Sequence, residues 1–500
     1  LGIVFKQSFK NTLVIYLGFL IGGINTLFLY TRFLKSDYYG LVSYVLSSSN
    51  IIMPLTAFGV QYTIVKFFSS YSNKEQKDKF LSSIIFLPLI IALPLGYFWD
   101  YFQDRIIANF PSENKIIENY TIYIYVITIC CAYFEVFYSW AKVQMQSVFG
   151  NVLKELYNRV AVMILLFAVF LNVITKQEFI IYLSYAYILR ALIMMLYAFN
   201  LYKPKFSFSL PDNYKEVLNY SFYIILAGSA SAIILDIDKV MIPGKEAFKA
   251  AAYYTVAVFI GSFIEAPSRA MTQILQPLTS KTINDNNFKE VENLYKKSSI
   301  NLLLIGGLFF VLVNTNVVEL FKIMPEKGYA DGVWVVLMIS SAKLVSMFLG
   351  NNPSIIANSK FYRVALPIGV GSALSVYLLN KLFYNELGFG TDGLALSTLI
   401  TFMIFALFRL WFVQSKMKIN PFTNKTFLMV LVIGVFYVLF NFWNFSVGEL
   451  YIKDIAIHPI INIALKSVLI VVSYVFIVVK LNISQQFNGV IKKVLGKFRA

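Results

Sequence analysis

The chain has 500 residues, of which 58% are hydrophobic and 14% charged, and a net charge of +17. Soluble domains carry nearer a quarter charged residues, so the composition excludes an ordinary soluble protein and fits a polytopic membrane protein. The positive charge does not point to nucleic acid, because it is spread over short loops, as membrane topology requires. Cys130 and Cys131 are adjacent inside an apolar run, and His458 is the single histidine, placed in a predicted loop beside Pro459. This inventory offers no disulfide, no zinc spacing and no His-based catalytic pair. It predicts no cofactor and no metal.

Apolar runs long enough to cross a bilayer core of about 30 Å as helices recur from end to end. In chain order, fourteen spans are predicted near 11–31, 41–65, 80–99, 120–140, 156–174, 178–200, 220–242, 251–275, 299–321, 332–351, 362–384, 391–412, 426–445 and 460–480. The expected fold is all-α. The runs 41–65 and 251–275 are rich in Ser, Thr, Gly and Pro, residues that let helices approach closely or break a span beside a cavity. The first run is long and leads straight into a second, which does not fit a cleavable signal peptide. The basic segments KEQKDK (74–79), YKPK (202–205), YKKS (295–298), SKMK (415–418) and IKKVLGKFR (491–499) all fall on one side of this topology. That side is expected to be cytoplasmic, with both termini inside.

A weak internal repeat is visible. The first span ends at Arg32 and the seventh near Lys239, an offset of 239 − 32 = 207 residues. The fifth begins NRVA at 158–161 and the eleventh YRVA at 362–365, an offset of 363 − 159 = 204. Two six-helix halves of like orientation plus a terminal pair are therefore expected. The boundaries are an N-terminal bundle over 1–200, a cytoplasmic linker over 201–219, a second bundle over 220–415, and a terminal pair with a basic tail over 416–500. In repeat-built transporters the substrate site lies between the halves.

Ionisable residues inside spans are costly and face a cavity or a partner. Arg190, Arg409 and Lys466 are expected to snorkel to an interface. In the eighth span, FIEAPSRAMTQILQP, Glu265 and Arg269 are four apart and share a helix face. Pro267 between them predicts a bend. Two readings stand open: an ion pair that stabilises the bend, or an anion-binding arginine held by a carboxylate. In the seventh span, LDIDKV, Asp236 and Lys239 can pair while Asp238 faces elsewhere. Glu135, Ser139 and Lys142 form one stripe with Tyr138 in the fourth span, suited to a hydrated wall or a polar packing seam. Glu319 and Lys343 are further charges in spans nine and ten. No GxxxxGK[ST] is present, so neither an ATP site nor a primary pump is expected. The inner loops are too short for a nucleotide-sugar domain, and no enzyme activity is expected.

The segment TRFLKSDYYGLVSY at 31–44 resembles the "t-R-x-L-g-x-x-x-y-G-x-y" signature of bacterial polysaccharide flippases. These are the O-antigen and capsule exporters of the multidrug/oligosaccharidyl-lipid/polysaccharide superfamily. Lys35 stands where the signature has glycine. DIDKVMI (236–242), YYTVAVFIGSFIEAP (253–267) and QPLTSK (276–281) are similar to later family segments, in order, and the resemblance extends over nearly the whole chain.

The resemblance implies a flippase of the bacterial plasma membrane. It would move an undecaprenyl-pyrophosphate-linked oligosaccharide from the inner to the outer leaflet by alternating access through a cationic cavity. Phosphate is matched best by arginine. The expected substrate contacts are Arg32, Arg269, Lys239 and Lys343. The expected coupling or gate acids are Asp37, Glu135, Asp236, Asp238, Glu265 and Glu319, with H+ or Na+ as coupling ion. Arg32 would receive the pyrophosphate at the outer mouth, pair with Asp37, or simply anchor the helix at the headgroups. Tyr38-Tyr39-Gly40 would make the turn into the second span. Polysaccharide polymerase or assembly proteins are the expected protein partners. A lipid II flippase or multidrug exporter of the same superfamily, and a membrane-integral polysaccharide polymerase, are the competing readings.

Overall fold

Lipid offers no water to a peptide group, so each apolar run must satisfy its own backbone as a helix. A computed structural model bears this out. It describes residues 2–497 except 109, 208, 444–450, 453 and 454. Among the described residues the elements are helices joined by short connections, with one two-residue ladder pairing Tyr451–Ile452 with Ile455–Ala456.

By internal contacts it divides into two compact units, Leu1–Thr255 with Gly369–Tyr377, and Val256–Ile368 with Leu378–Ala500. The first contains α1 (Gly2–Ile24), α2 (Lys35–Thr56), α3 (Val60–Phe67), α4 (Lys74–Phe86), α5 (Leu89–Tyr97), α6 (Trp99–Ala108), α7 (Thr121–Val143), α8 (Ser147–Val152), α9 (Asn158–Phe170), α10 (Lys176–Leu201) and α11 (Tyr214–Met241). α12 (Phe248–Ser262) runs across the division. The second unit holds α13 (Ala266–Asn284), α14 (Phe288–Lys322), α15 (Val333–Phe348) and α16 (Asn352–Asn358). It continues with α18 (Gly390–Met417), α19 (Asn424–Asn441), α20 (His458–Lys480) and α21 (Gln485–Lys497), while α17 (Ala365–Asn380) is shared by sequence.

Twelve stretches among the described residues are long and apolar enough to cross a membrane. The fourteen expected spans map onto them with two differences. The first two fall in one helical stretch, Leu13–Thr56. The fifth, 156–174, corresponds to α9, only 13 residues long and preceded by the charged Lys154 and Glu155. The large exposed side chains along these stretches, such as Leu93, Phe222, Leu407 and Phe476, suit a hydrocarbon surround.

The joint between the first two spans corrects the sequence reading. Residues 25–34 form a π-helical segment that ends at Lys35, whose φ of 61° and ψ of 169° break the helix direction. Tyr38, Tyr39 and Gly40 do not make the turn; they lie inside α2. Gly40 serves packing instead, because a Cβ there would collide with the backbone carbonyl of Phe248. The 41–65 run breaks after Pro54, at Phe58 and Gly59, both with positive φ.

The linker before α11 is pinned rather than loose. Tyr202 donates to Asp78 at 2.8 Å, Gln76 to Asp212 at 2.8 Å and Tyr71 to Asn213 at 2.5 Å. Burial and the Asp78 carboxylate push the Tyr202 phenol up to about 12. His458 opens α20 as its first residue instead of lying in a loop.

Candidate functional site

α2 and α11 pack against each other in the first unit, and this contact encloses Asp236. Its carboxylate accepts from Ser47 Oγ at 3.0 Å and Asn50 Nδ2 at 3.2 Å, both on α2, and from Lys239 Nζ at 2.8 Å. The predicted Asp236–Lys239 pair thus forms, one turn apart on α11, and both side chains are more than four-fifths buried. Asp238 faces the other way, as expected, and takes the hydroxyl of Tyr254. Three donors, one of them the buried lysine counter-ion, hold the carboxylate in place.

The stripe on α7 has a partner that the sequence did not indicate. Glu135 pairs with Lys154 Nζ at 2.5 Å. Lys142 and Lys154 both face the Tyr138 ring, at 4.4 and 6.0 Å. Ser139, in the same stripe, is fully buried, so only part of the stripe can be hydrated. Arg190 does not snorkel. It is buried, donates to Cys131 Sγ at 3.3 Å, and lies over the rings of Phe134 and Tyr187 at 4.2 and 4.8 Å. The chain thereby replaces an interface with aromatic faces, which attract a desolvated guanidinium.

Arg32 and Asp37 are both exposed and make no ion pair with each other within 4 Å. Lys35 turns the backbone between them. Asp37 and Tyr38 line a cavity of about 400 Å³ with Glu113, Asn114, Phe248 and Lys249.

In the second unit the helix breaks where Pro267 predicted a bend. A 3-10 turn over Phe263–Glu265 separates α12 from α13, with Pro267 in the first turn of α13. The break carries Glu265 toward α15. There Lys343 Nζ meets Glu265 Oε2 at 2.6 Å, and Lys343 also lies 5.4 Å from the centre of the Phe402 ring. Arg269 Nε is 3.9 Å from the other carboxylate oxygen. Lys343 is nine-tenths buried, Glu265 about three-quarters, and Arg269 is 44% exposed. The cluster therefore has two cations for one carboxylate, and its exposed member is a guanidinium able to grip a phosphate with two parallel donors.

Glu319 pairs with Lys322 at 2.7 Å. Lys466, expected at an interface, is buried in α20 and donates to the Thr315 carbonyl at 2.9 Å. Arg409 is half-buried. Sequence spacing located the Asp236–Lys239 and Glu265–Arg269 pairs. It missed the Lys154–Glu135 and Lys343–Glu265 pairs, whose partners are 19 and 78 residues apart. The one available signal was that each is a lone lysine near or within an apolar run.

Solved structures similar to this arrangement of helices include transport proteins. The lipid II flippase MurJ, in an inward closed conformation, superposes with a TM-score of 0.65 at 14% identity, over 95% of this chain and 99% of that one. An inward-facing multidrug resistance MATE family transporter gives 0.57 at 15% identity, over 80% and 94%. A MOP superfamily transporter from Pyrococcus furiosus gives 0.56 at 13% identity, over 83% and 95%. The fold is that of the polytopic transporters of the MOP superfamily. An uncharacterized membrane protein of Methanocaldococcus jannaschii is 21% identical over 448 residues, 85% of each chain. The model of the polysaccharide biosynthesis protein family matches residues 5–282, more than half of the 500, and the chain belongs to that family.

Proposed function

We propose that the chain moves an undecaprenyl-pyrophosphate-linked oligosaccharide, an O-antigen or capsule repeat unit, from the inner to the outer leaflet of a bacterial plasma membrane. Alternating access through a cationic cavity is the mechanism. The observation that carries this reading is the Glu265–Lys343–Arg269 cluster, which bears a net positive charge inside a membrane-spanning unit. Family membership and a transporter fold support it.

A pyrophosphate leaving water needs cationic partners, and arginine supplies them in a planar fork. Arg269 contacts the pyrophosphate in this account, while Glu265 and Lys343 hold its position. Arg32, exposed at the end of the first span, is a second contact. Lys239 is engaged by Asp236, so its part in substrate binding requires that pair to open. Asp37 on its cavity is a gate acid. Asp238, Glu135 and Glu319, with Asp236 and Glu265, are the carboxylates to test for H+ or Na+ coupling. Fourteen crossings, paired six-helix bundles with a terminal pair, and cytoplasmic termini complete the proposal.

The test is leaflet exposure of a fluorescent polyprenyl-pyrophosphate oligosaccharide in proteoliposomes, run beside lipid II and a small organic cation. Exposure of the oligosaccharide lipid above protein-free vesicles is the expected result. Movement of lipid II or the cation alone would overturn the substrate assignment.

A further inference from the structure

A second cationic site lies apart from the acid–base clusters above. The starts of α19 and α21 and the middle of α14 enclose a cavity of about 450 Å³. Its lining includes Lys296, Lys297 and Lys425, the side-chain amides of Asn301 and Gln486, and Ser484, with no carboxylate among the described lining residues. The lysines differ in how they are held. Lys296 pairs with Glu292, one turn away, at 2.6 Å. Lys425 donates to the Asn482 carbonyl just after α20. Lys297 is exposed and forms no ion pair within 4 Å among the described residues.

The walls are fixed. Asn301 donates to Gln486 and accepts from Ser484 at 2.6 Å, which stitches α14 to the beginning of α21. Ser484 also takes the Phe487 backbone N–H at 3.2 Å. Neither α19 nor α21 has an acid in its first turn, and Lys425 sits in the first turn of α19. A cation at a helix N-terminus opposes the helix dipole. An anion in the cavity would relieve that conflict and accept the amide donors as well.

The depth of the cavity names the anion. Lys425 is the second residue of the apolar stretch Asn424–Asn441, and Ser484 lies four residues past the end of His458–Lys480. These are the ends of membrane-crossing helices, at headgroup level. α21 follows at once, and its sequence FNGVIKKVLGK alternates apolar residues and lysines at helical spacing, the pattern of a helix lying in the interface. Basic pockets at this level bind anionic lipid headgroups.

We propose that this cavity binds the phosphate of an anionic membrane phospholipid and uses it to hold α21 and the start of α19 against α14.

The experiment is native mass spectrometry of the purified full chain titrated with phosphatidylglycerol or phosphatidylcholine, with inorganic phosphate as competitor. Wild type should retain phosphatidylglycerol in preference. Lys297→Glu should weaken retention by about fivefold or more, and Lys296→Gln/Lys297→Gln/Lys425→Gln by about a hundredfold, taking about fivefold per lysine. Lys416→Gln/Lys418→Gln, outside the cavity, should leave it unchanged. Because Lys425 also caps a helix end, Lys297→Glu keeps the test decisive if the triple variant fails to fold. Equal retention of the two lipids by wild type, or equal loss in the control variant, would overturn the site. Displacement of the lipid by millimolar inorganic phosphate would overturn the lipid assignment in favour of a soluble anion.

Discussion

Asp236 and Glu265 are both membrane-embedded carboxylates paired with a lysine, yet their surroundings differ. Asp236 has one lysine, one serine and one asparagine, and all three donors are committed. Glu265 has a lysine at 2.6 Å and an arginine at 3.9 Å, so cations outnumber it. The first arrangement closes a charge inside a helix contact. The second places two cations around one carboxylate, one of them a half-exposed guanidinium. Counting charges along the sequence would rank the two alike; the donors supplied by neighbouring helices separate a lock from a candidate site.

The largest effect should come from breaking the lock on one side. Asp236→Ala leaves Lys239 buried without its counter-ion and should cost about 3 kcal/mol or more, read as a fall in thermal stability in detergent. Next comes the exposed cation of the other cluster. Arg269→Ala should change stability by only about 0.5 kcal/mol, as a half-exposed pair at long distance does. Its transport should nevertheless fall by about tenfold to a hundredfold, the worth of hydrogen bonds to a charged group. A stability loss as large as that of Asp236→Ala, with normal transport, would erase the contrast. The smallest effect should come from removing both members of the lock. Asp236→Asn/Lys239→Gln should stay within about 1 kcal/mol of wild type, because neutral partners of like shape avoid the desolvation penalty of an ion pair. Transport by that double variant should be near normal if the pair is structural, whereas its loss would make Asp236 a coupling group.

Much of the fold was legible in the sequence because hydrophobic length is a strong signal, and helices answer the predicted spans in order. The Pro267 break and the Asp236–Lys239 pair were legible because both are local, set by one residue or by one helical turn. The Lys343–Glu265 contact was not, because periodicity gives the face of a helix and not what meets it. Arg190 shows the same limit: an arginine in an apolar run can snorkel or bury itself against aromatic rings, and only the packing of α10 on α7 decides.

Lys35 is a finer case. The signature position that carries glycine in the resembled family here holds a lysine at positive φ, in a region that glycine occupies without penalty. Lys35→Gly should therefore raise stability by about 1 kcal/mol, measured as a higher unfolding temperature. An unchanged or lower value would mean that the lysine side chain offsets the backbone strain.

The most direct test is the leaflet-exposure assay with three proteins in parallel: wild type, Arg269→Ala, and Asp236→Asn/Lys239→Gln, each checked for equal reconstitution. The account predicts that the oligosaccharide lipid reaches the outer leaflet with wild type, about tenfold to a hundredfold more slowly with Arg269→Ala, and near normally with the double variant if the Asp236–Lys239 pair is structural. Undiminished transport by Arg269→Ala would contradict it.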